Sequence, residues 1–172
     1  KLRREAFGGE HADVAESLHS RASLLANKGD YAAAEPLFRE ALEMRRRLFG
    51  GNHLLVTDTL NDLALLLTDK GEYDRAEPLL GEALAVRRRL LAPDHAQVTQ
   101  SLNNLGLLRF SKGDYAGAEP LYREALELRR RAHGAHPSVA NSANNLAQLL
   151  HSRGEHAEAE RLYREALELR RR

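Results

Sequence analysis

Apolar residues recur along this chain at helical spacing, broken at intervals by short polar turns. Val98, Leu102, Leu105, Gly106 and Arg109 fall at i, i+4, i+7, i+8 and i+11, with Leu108 flanking. At 100° per residue the apolar members share one arc, which predicts a helix, here helix A, over about residues 96–112. Gly113 follows the last turn, where a left-handed residue closes a helix without a Cβ penalty. Lys112 in that turn suits the helix dipole, and Asp114 is placed to cap a second helix. That helix, B, carries Tyr115, Ala118, Leu121, Tyr122, Ala125, Leu126 and Leu128 and runs to about Ala132.

The same sentence is written four times. Gly29-Asp30-Tyr31 returns as Gly71-Glu72-Tyr73, Gly113-Asp114-Tyr115 and Gly154-Glu155-His156, in steps of 42, 42 and 41 residues. The connector Gly134-Ala135-His136-Pro137 is one residue shorter than its predecessor and accounts for the last step. A period of this size predicts a solenoid whose units bury their apolar faces against their neighbours. Small residues stand at three matched places: Ala22, Ala34 and Ala41; Ala64, Ala76 and Ala83; Gly106, Ala118 and Ala125; Ala147, Ala159 and Ala166. Close approach of two antiparallel helices explains them, and explains the Gly, better than helix propensity does. Pro36, Pro78 and Pro120 recur inside helix B, where each removes one backbone hydrogen bond and is expected to bend the first turns. Arg161 replaces this Pro in the last copy.

These residues resemble a tetratricopeptide repeat. The closest form is the 42-residue subclass of kinesin light chains and related bacterial proteins, which is longer than the usual unit of about 34 residues. The match is carried by Leu102-Asn103-Asn104-Leu105-Gly106, Gly113-Asp114-Tyr115, Ala118-Glu119-Pro120-Leu121-Tyr122 and Glu124-Ala125-Leu126-Glu127-Leu128-Arg129, with the turns Gly50-Gly51-Asn52-His53 and Ala135-His136-Pro137-Ser138-Val139. It covers essentially the whole chain. It implies an all-α, right-handed superhelical solenoid of stacked antiparallel helix pairs, with A helices on the concave face and B helices on the convex one. Repeats are expected at 9–50, 51–92, 93–133 and 134–172, and residues 1–8 as the end of a preceding helix B. The chain opens at Lys1 without an initiator Met and closes on Arg170-Arg171-Arg172, so it reads as a fragment of a longer protein. Lys is scarce beside Arg, which fits a GC-rich, bacterial genome.

Facing away from the core of helix A is an arc of Glu16, His19, Ser23, Ala26 and Asn27 in the first copy, and Asp58, Asn61, Leu65, Thr68 and Asp69 in the second. The third holds Gln100, Asn103, Leu107, Phe110 and Ser111, and the fourth Asn141, Asn144, Gln148, His151 and Ser152. In the resembling family these positions line a peptide groove. Asn61, Asn103 and Asn144 supply one amide per repeat, able to donate and accept along an extended backbone. The alternative is that they bridge adjacent A helices or cap turns. Leu65, Leu107 and Phe110 form an apolar patch for a partner's anchor, unless Phe110 folds down against the next repeat.

Arg triplets close the B helices, where the dipole favours cations. Three successive residues span 200° of a helix, so one Arg per triplet reaches the groove edge; Arg47, Arg89 and Arg131 are the expected rim, favouring an acidic ligand. Opposite charges at i, i+4, as in Glu119, Arg123, Glu127 and Arg131, make a solvated stripe the default for most of the others. Interleaved Glu and the lack of stacking aromatics argue against nucleic acid. His11, His53, His95 and His136 precede each helix A, one per repeat, and so cannot share a metal; a capping role is expected. His151 and His156, five apart, do not face each other well on one helix. His19 and His151 lie on the groove arc.

Composition narrows the rest. Net charge is +1, from 26 basic and 25 acidic residues, so no global field draws the chain to nucleic acid or anionic lipid. With 42% hydrophobic residues, no Trp and little aromatic content, the core must be Leu and Ala. Cysteine is absent, which removes disulfides and thiolate chemistry and fits a reducing, cytoplasmic setting. No run approaches the roughly 18 apolar residues of a membrane span. No metal-binding, phosphate-loop or nucleophile-elbow motif occurs, so no enzyme and no cofactor are expected. The reading is a protein–protein interaction scaffold holding an extended peptide. Its rival is an oligomerisation or regulatory module of a larger bacterial signalling protein, stacking through terminal helices, since Leu162, Tyr163, Ala166 and Leu167 match internal positions rather than a polar cap.

Overall fold

Helical spacing and turn chemistry combine, in a computed structural model describing residues 11–134 and 136–171, into eight α-helices and no strand among those residues. They are α1 (Ala12–Asn27), α2 (Tyr31–Phe49), α3 (Leu54–Asp69), α4 (Tyr73–Leu90), α5 (Ala96–Ser111), α6 (Tyr115–His133), α7 (Pro137–Ser152) and α8 (His156–Arg171). Odd-numbered helices are the A helices and even-numbered ones the B helices. The fold class is an all-α helical-repeat solenoid. The expected helix end at residues 1–8 lies outside the described residues, as do Ala135 and Arg172.

Each hairpin turns the same way. Gly29, Gly71, Gly113 and Gly154 have φ between 77 and 84°. Such values cost glycine nothing and let two backbone bonds close the helix, as when Gly29 N donates to Ala26 O and Asp30 N to Leu25 O. Asp30 and Asp114 then cap the next helix by accepting from Ala33 N at 3.1 Å and Gly117 N at 2.9 Å. Ahead of each A helix the expected histidine is the cap. Nδ1 of His11, His53, His95 and His136 accepts the backbone N–H two residues on, at 3.1–3.2 Å.

The chain divides into two compact units, Lys1–Leu90 and Leu91–Arg172. In the first, α1 packs on α2 and α3 on α4, while α2 meets α3 and α1 touches α3. Ala22, Ala34, Ala41, Ala64, Ala76 and Ala83 are all fully buried, as expected for close helix approach. In the second, α5 packs on α6 and α7 on α8, α6 meets α7, and α5 touches α7. Its core gathers Ala118, Tyr122, Leu126, Val139, Leu146, Leu150 and Leu162. Here even a methyl is crowded. A Cβ on Gly106 would stand 2.7 Å from the ring of Tyr122. That ring is buried, which pushes its phenol pKa up.

Ion pairs fasten the B helices. Glu35 on α2 accepts from Lys70 Nζ at 2.6 Å, Arg39 Nη2 at 2.9 Å and Arg75 Nη2 at 2.6 Å. The Lys70 bond above all, with those from the two arginines, lowers the pKa of Glu35 to about 2. In the second unit Glu119 takes the same place, its pKa lowered by Arg123 and then Arg153.

Candidate functional site

The A-helix face of the first unit is a recess of about 320 Å³. Ser23, Ala26 and Asn27 of α1 form one wall and Asp62, Leu65, Leu66 and Asp69 of α3 the other, with Phe38 of α2 beneath. His19 stands beside it. Its Nε2 lies 3.2 Å from Asp62 Oδ2, its ring edge meets Phe38 at 5.5 Å between centroids, and its Nδ1 is buried without a hydrogen-bond partner. Leu65 is half-buried within the recess, and Asp62 and Asp69 make that recess acidic. Asn61 departs from expectation. It is 2% exposed and its Nδ2 donates to Asp62 Oδ1 at 3.2 Å, so it is not open to a guest.

The A-helix face of the second unit is built of amides. Gln100 and Gln148 are exposed and Asn144 half-buried. Among the described residues none of these three side chains has a hydrogen-bond partner. Leu107 on α5, in register with Gln148, is 42% exposed. Asn103 instead adopts the bridging alternative. Its Nδ2 donates to Thr99 O at 2.9 Å and to Ser142 Oγ on α7 at 3.1 Å, and its Oδ1 accepts from Asn145 Nδ2 at 3.4 Å. Phe110 likewise folds down. It packs on the buried cluster of α6, α7 and α8, with its ring 5.4 Å from that of Tyr115. His151 is exposed at the end of α7 and does meet His156, Nδ1 to Nδ1 at 3.3 Å. The two were expected to miss each other on one helix; they lie on two helices across a turn.

The arginine rim needs correction. Arg47, Arg89 and Arg131 are exposed and hold local partners, Glu43 at 4.0 Å, Asn52 and Glu127 respectively. In the first two triplets the inward member is the first. Arg45 and Arg87 are each 2% exposed. Arg45 Nη1 donates to Leu55 O at 3.0 Å and Thr59 Oγ1 at 2.7 Å, while Nη2 pairs with Glu16. Arg87 donates to Thr57 Oγ1 at 3.1 Å and to Asp58 Oδ1 at 2.8 Å. A signal for this was present: Arg45 follows Ala41 by four residues and Leu42 by three, which puts it on the buried arc.

Among the described residues no group of His, Asp and Glu is arranged to hold a metal ion, and no helix is long and apolar enough to cross a membrane.

A family model described as tetratricopeptide repeat matches residues 1–46, 13–89, 55–131 and 97–172. No curated protein sequence matches the chain. Among solved structures, BtubC (BKLC) from P. vanneervenii is 25% identical with a TM-score of 0.88, over 98% of this chain and 70% of that one. A putative kinesin light chain of Podosopora anserina with nearly identical TPR-like repeats is 19% identical with a TM-score of 0.84, over 98% and 81%. A Rap protein complexed with competence and sporulation factor is 19% identical with a TM-score of 0.79, over 92% of this chain and 43% of that one.

Proposed function

Because this chain belongs to the tetratricopeptide repeat family, we propose that it is a non-catalytic protein–protein interaction scaffold that holds an extended partner segment on its A-helix faces. One observation carries the reading: the unpaired amides of Gln100, Asn144 and Gln148 beside the exposed Leu107. An amide left without a partner at a surface satisfies itself with water or with a guest's backbone, and a regular set of them suits an extended chain. Leu107, in register with Gln148, adds an apolar contact beside them. In the first unit the recess over Phe38 and Leu65 takes a side chain, and Asp62 and Asp69 favour one that donates hydrogen bonds. The similar Rap protein, solved in complex with competence and sporulation factor, is a precedent for a partner on this fold.

The test begins with selection of binding peptides from a displayed library, followed by calorimetric titration. Leu107→Asp and the pair Asn144→Ala, Gln148→Ala are expected to weaken the selected peptide at least tenfold while leaving the helical circular dichroism unchanged. Full affinity in both variants would end the groove reading.

A second reading is favoured by the last helix. Phe38, Leu42, Tyr122 and Leu126 are buried, yet their counterparts on α8, Tyr163 and Leu167, are 37% and 49% exposed. That apolar face suits stacking on another repeat, of a second copy or of a longer parent. Sedimentation of the chain against Tyr163→Glu with Leu167→Glu decides it; a wild-type monomer at all concentrations removes self-association.

A further inference from the structure

The inward arginines reveal an unfilled position. Arg45 and Arg87 each sit beside a carboxylate from the A helix of their own hairpin, Glu16 and Asp58. Arg129 on α6 stands 42 residues after Arg87, at the same register. The A-helix residue matching Glu16 and Asp58 is Gln100, exposed and neutral. The residue matching Thr59, which accepts from Arg45, is Ser142, and its buried hydroxyl accepts from Asn103. Arg129 thus lacks the carboxylate and the hydroxyl that Arg45 holds. Its Nε is buried with no hydrogen-bond partner, and burial lowers its pKa. A partly buried guanidinium without an anion is unfavourable, and its planar fork matches a carboxylate through two parallel hydrogen bonds.

We propose that Arg129 is a carboxylate-binding site, which takes an acidic side chain of a bound peptide into the place that Glu16 and Asp58 fill beside Arg45 and Arg87. This deepens the peptide-holding reading of the second unit and rests on it. Free carboxylate ions share the chemistry, so the experiment separates the two sources.

The experiment follows the Arg129 Nε–Hε resonance of the ¹⁵N-labelled chain against three probes: sodium acetate, and two leucine-containing peptides identical except for Glu or Gln. The Glu peptide is expected to move the resonance and to bind about tenfold more tightly than its Gln twin, a charge-assisted hydrogen bond's worth. Gln100→Glu supplies an internal carboxylate, so it abolishes the preference and raises the thermal midpoint. Arg129→Met abolishes the preference and keeps the fold. Equal affinity for the two peptides, a preference that survives both variants, or a resonance unmoved by any probe overturns the proposal. A resonance moved by acetate alone reduces the site to a small-anion contact and overturns the peptide assignment. If the Glu preference holds while Leu107→Asp and Asn144→Ala with Gln148→Ala bind normally, the amide groove fails and the Arg129 site stands.

Discussion

The two units share one plan and differ in what they leave unsatisfied. In residues 11–90 the A-helix face carries carboxylates and a recess, and the inward arginines Arg45 and Arg87 are buried and paired. In residues 91–171 the face carries amides and an exposed leucine, and Arg129 is unpaired. Their cores differ less. The matched small positions Ala22, Ala64, Gly106 and Ala147 are all buried, and at Gly106 a methyl would crowd the ring of Tyr122. Positions that pack hairpin on hairpin keep to small and apolar residues, because interiors tolerate neither voids nor overlap. Positions on the A-helix face vary freely, and there the difference between units becomes a difference in chemistry.

The largest expected effect tests the arginine contrast. Arg45→Ala removes a buried side chain and its bonds to Thr59, the Leu55 carbonyl and Glu16; it is expected to cost about 3 kcal/mol. Arg129→Met, by contrast, removes an uncompensated charge and keeps the volume, so stability is expected to stay within about 0.5 kcal/mol or to rise. Urea denaturation of the two variants measures the difference. Equal losses would mean that Arg129 is satisfied in solution and that the units do not differ in this way.

Next comes the glycine. Gly106→Ala drives a methyl into Tyr122 and is expected to cost about 2 kcal/mol. Tyr122→Leu, the residue that Leu80 places opposite Ala64, makes room for that methyl. The double variant is therefore expected to be more stable than the two single losses summed, with a coupling of about 1 kcal/mol in a double-mutant cycle. Strict additivity would show that the contact yields without cost.

Acid separates the ion-pair networks from the rest of the fold. The pKa of Glu35 is lowered to about 2 in the folded chain, so the unfolded chain binds the proton more readily. The stability Glu35 contributes is present in full above the ordinary carboxylate value of 4.5 and is lost as pH falls toward about 2. Glu35→Gln is expected to cost about 1 kcal/mol at neutral pH, since its basic partners are partly solvated, and to flatten the acid limb between those values. Thermal midpoints across that range check it; identical acid limbs for wild type and variant would place the pH dependence elsewhere.

Most of the fold was legible because helix packing imposes a period. The small residues, the glycine turns and the histidine caps all lie where 100° per residue and turn chemistry put them. The site was less legible, for three physical reasons. Asn103 lies next to buried Leu102, at the edge of the arc, and whether such an amide looks outward depends on the neighbouring helix, here Ser142 of α7. Phe110 turns down because a ring near a helix end finds more apolar surface below than outside. The inward arginine escapes a reading that takes charge as a sign of solvation, although its spacing from Ala41 and Leu42 marks it as buried.

The smallest effect concerns the caps, which are alike in geometry and unlike in surroundings. His53 accepts from Leu55 N and also stacks on Phe49, with ring centroids 4.6 Å apart and planes 20° from parallel. His95 makes the same cap from an exposed position. Loss of a capping acceptor typically costs from about 0.5 to 2 kcal/mol. His95→Ala is therefore expected near the lower bound and His53→Ala about 0.5 kcal/mol above it, because the second also loses an aromatic contact. Phe49→Ala removes the stack and leaves the cap, so the gap between His53→Ala and His95→Ala should close when each is measured in that background. A gap that persists without Phe49 would assign the excess to the cap itself.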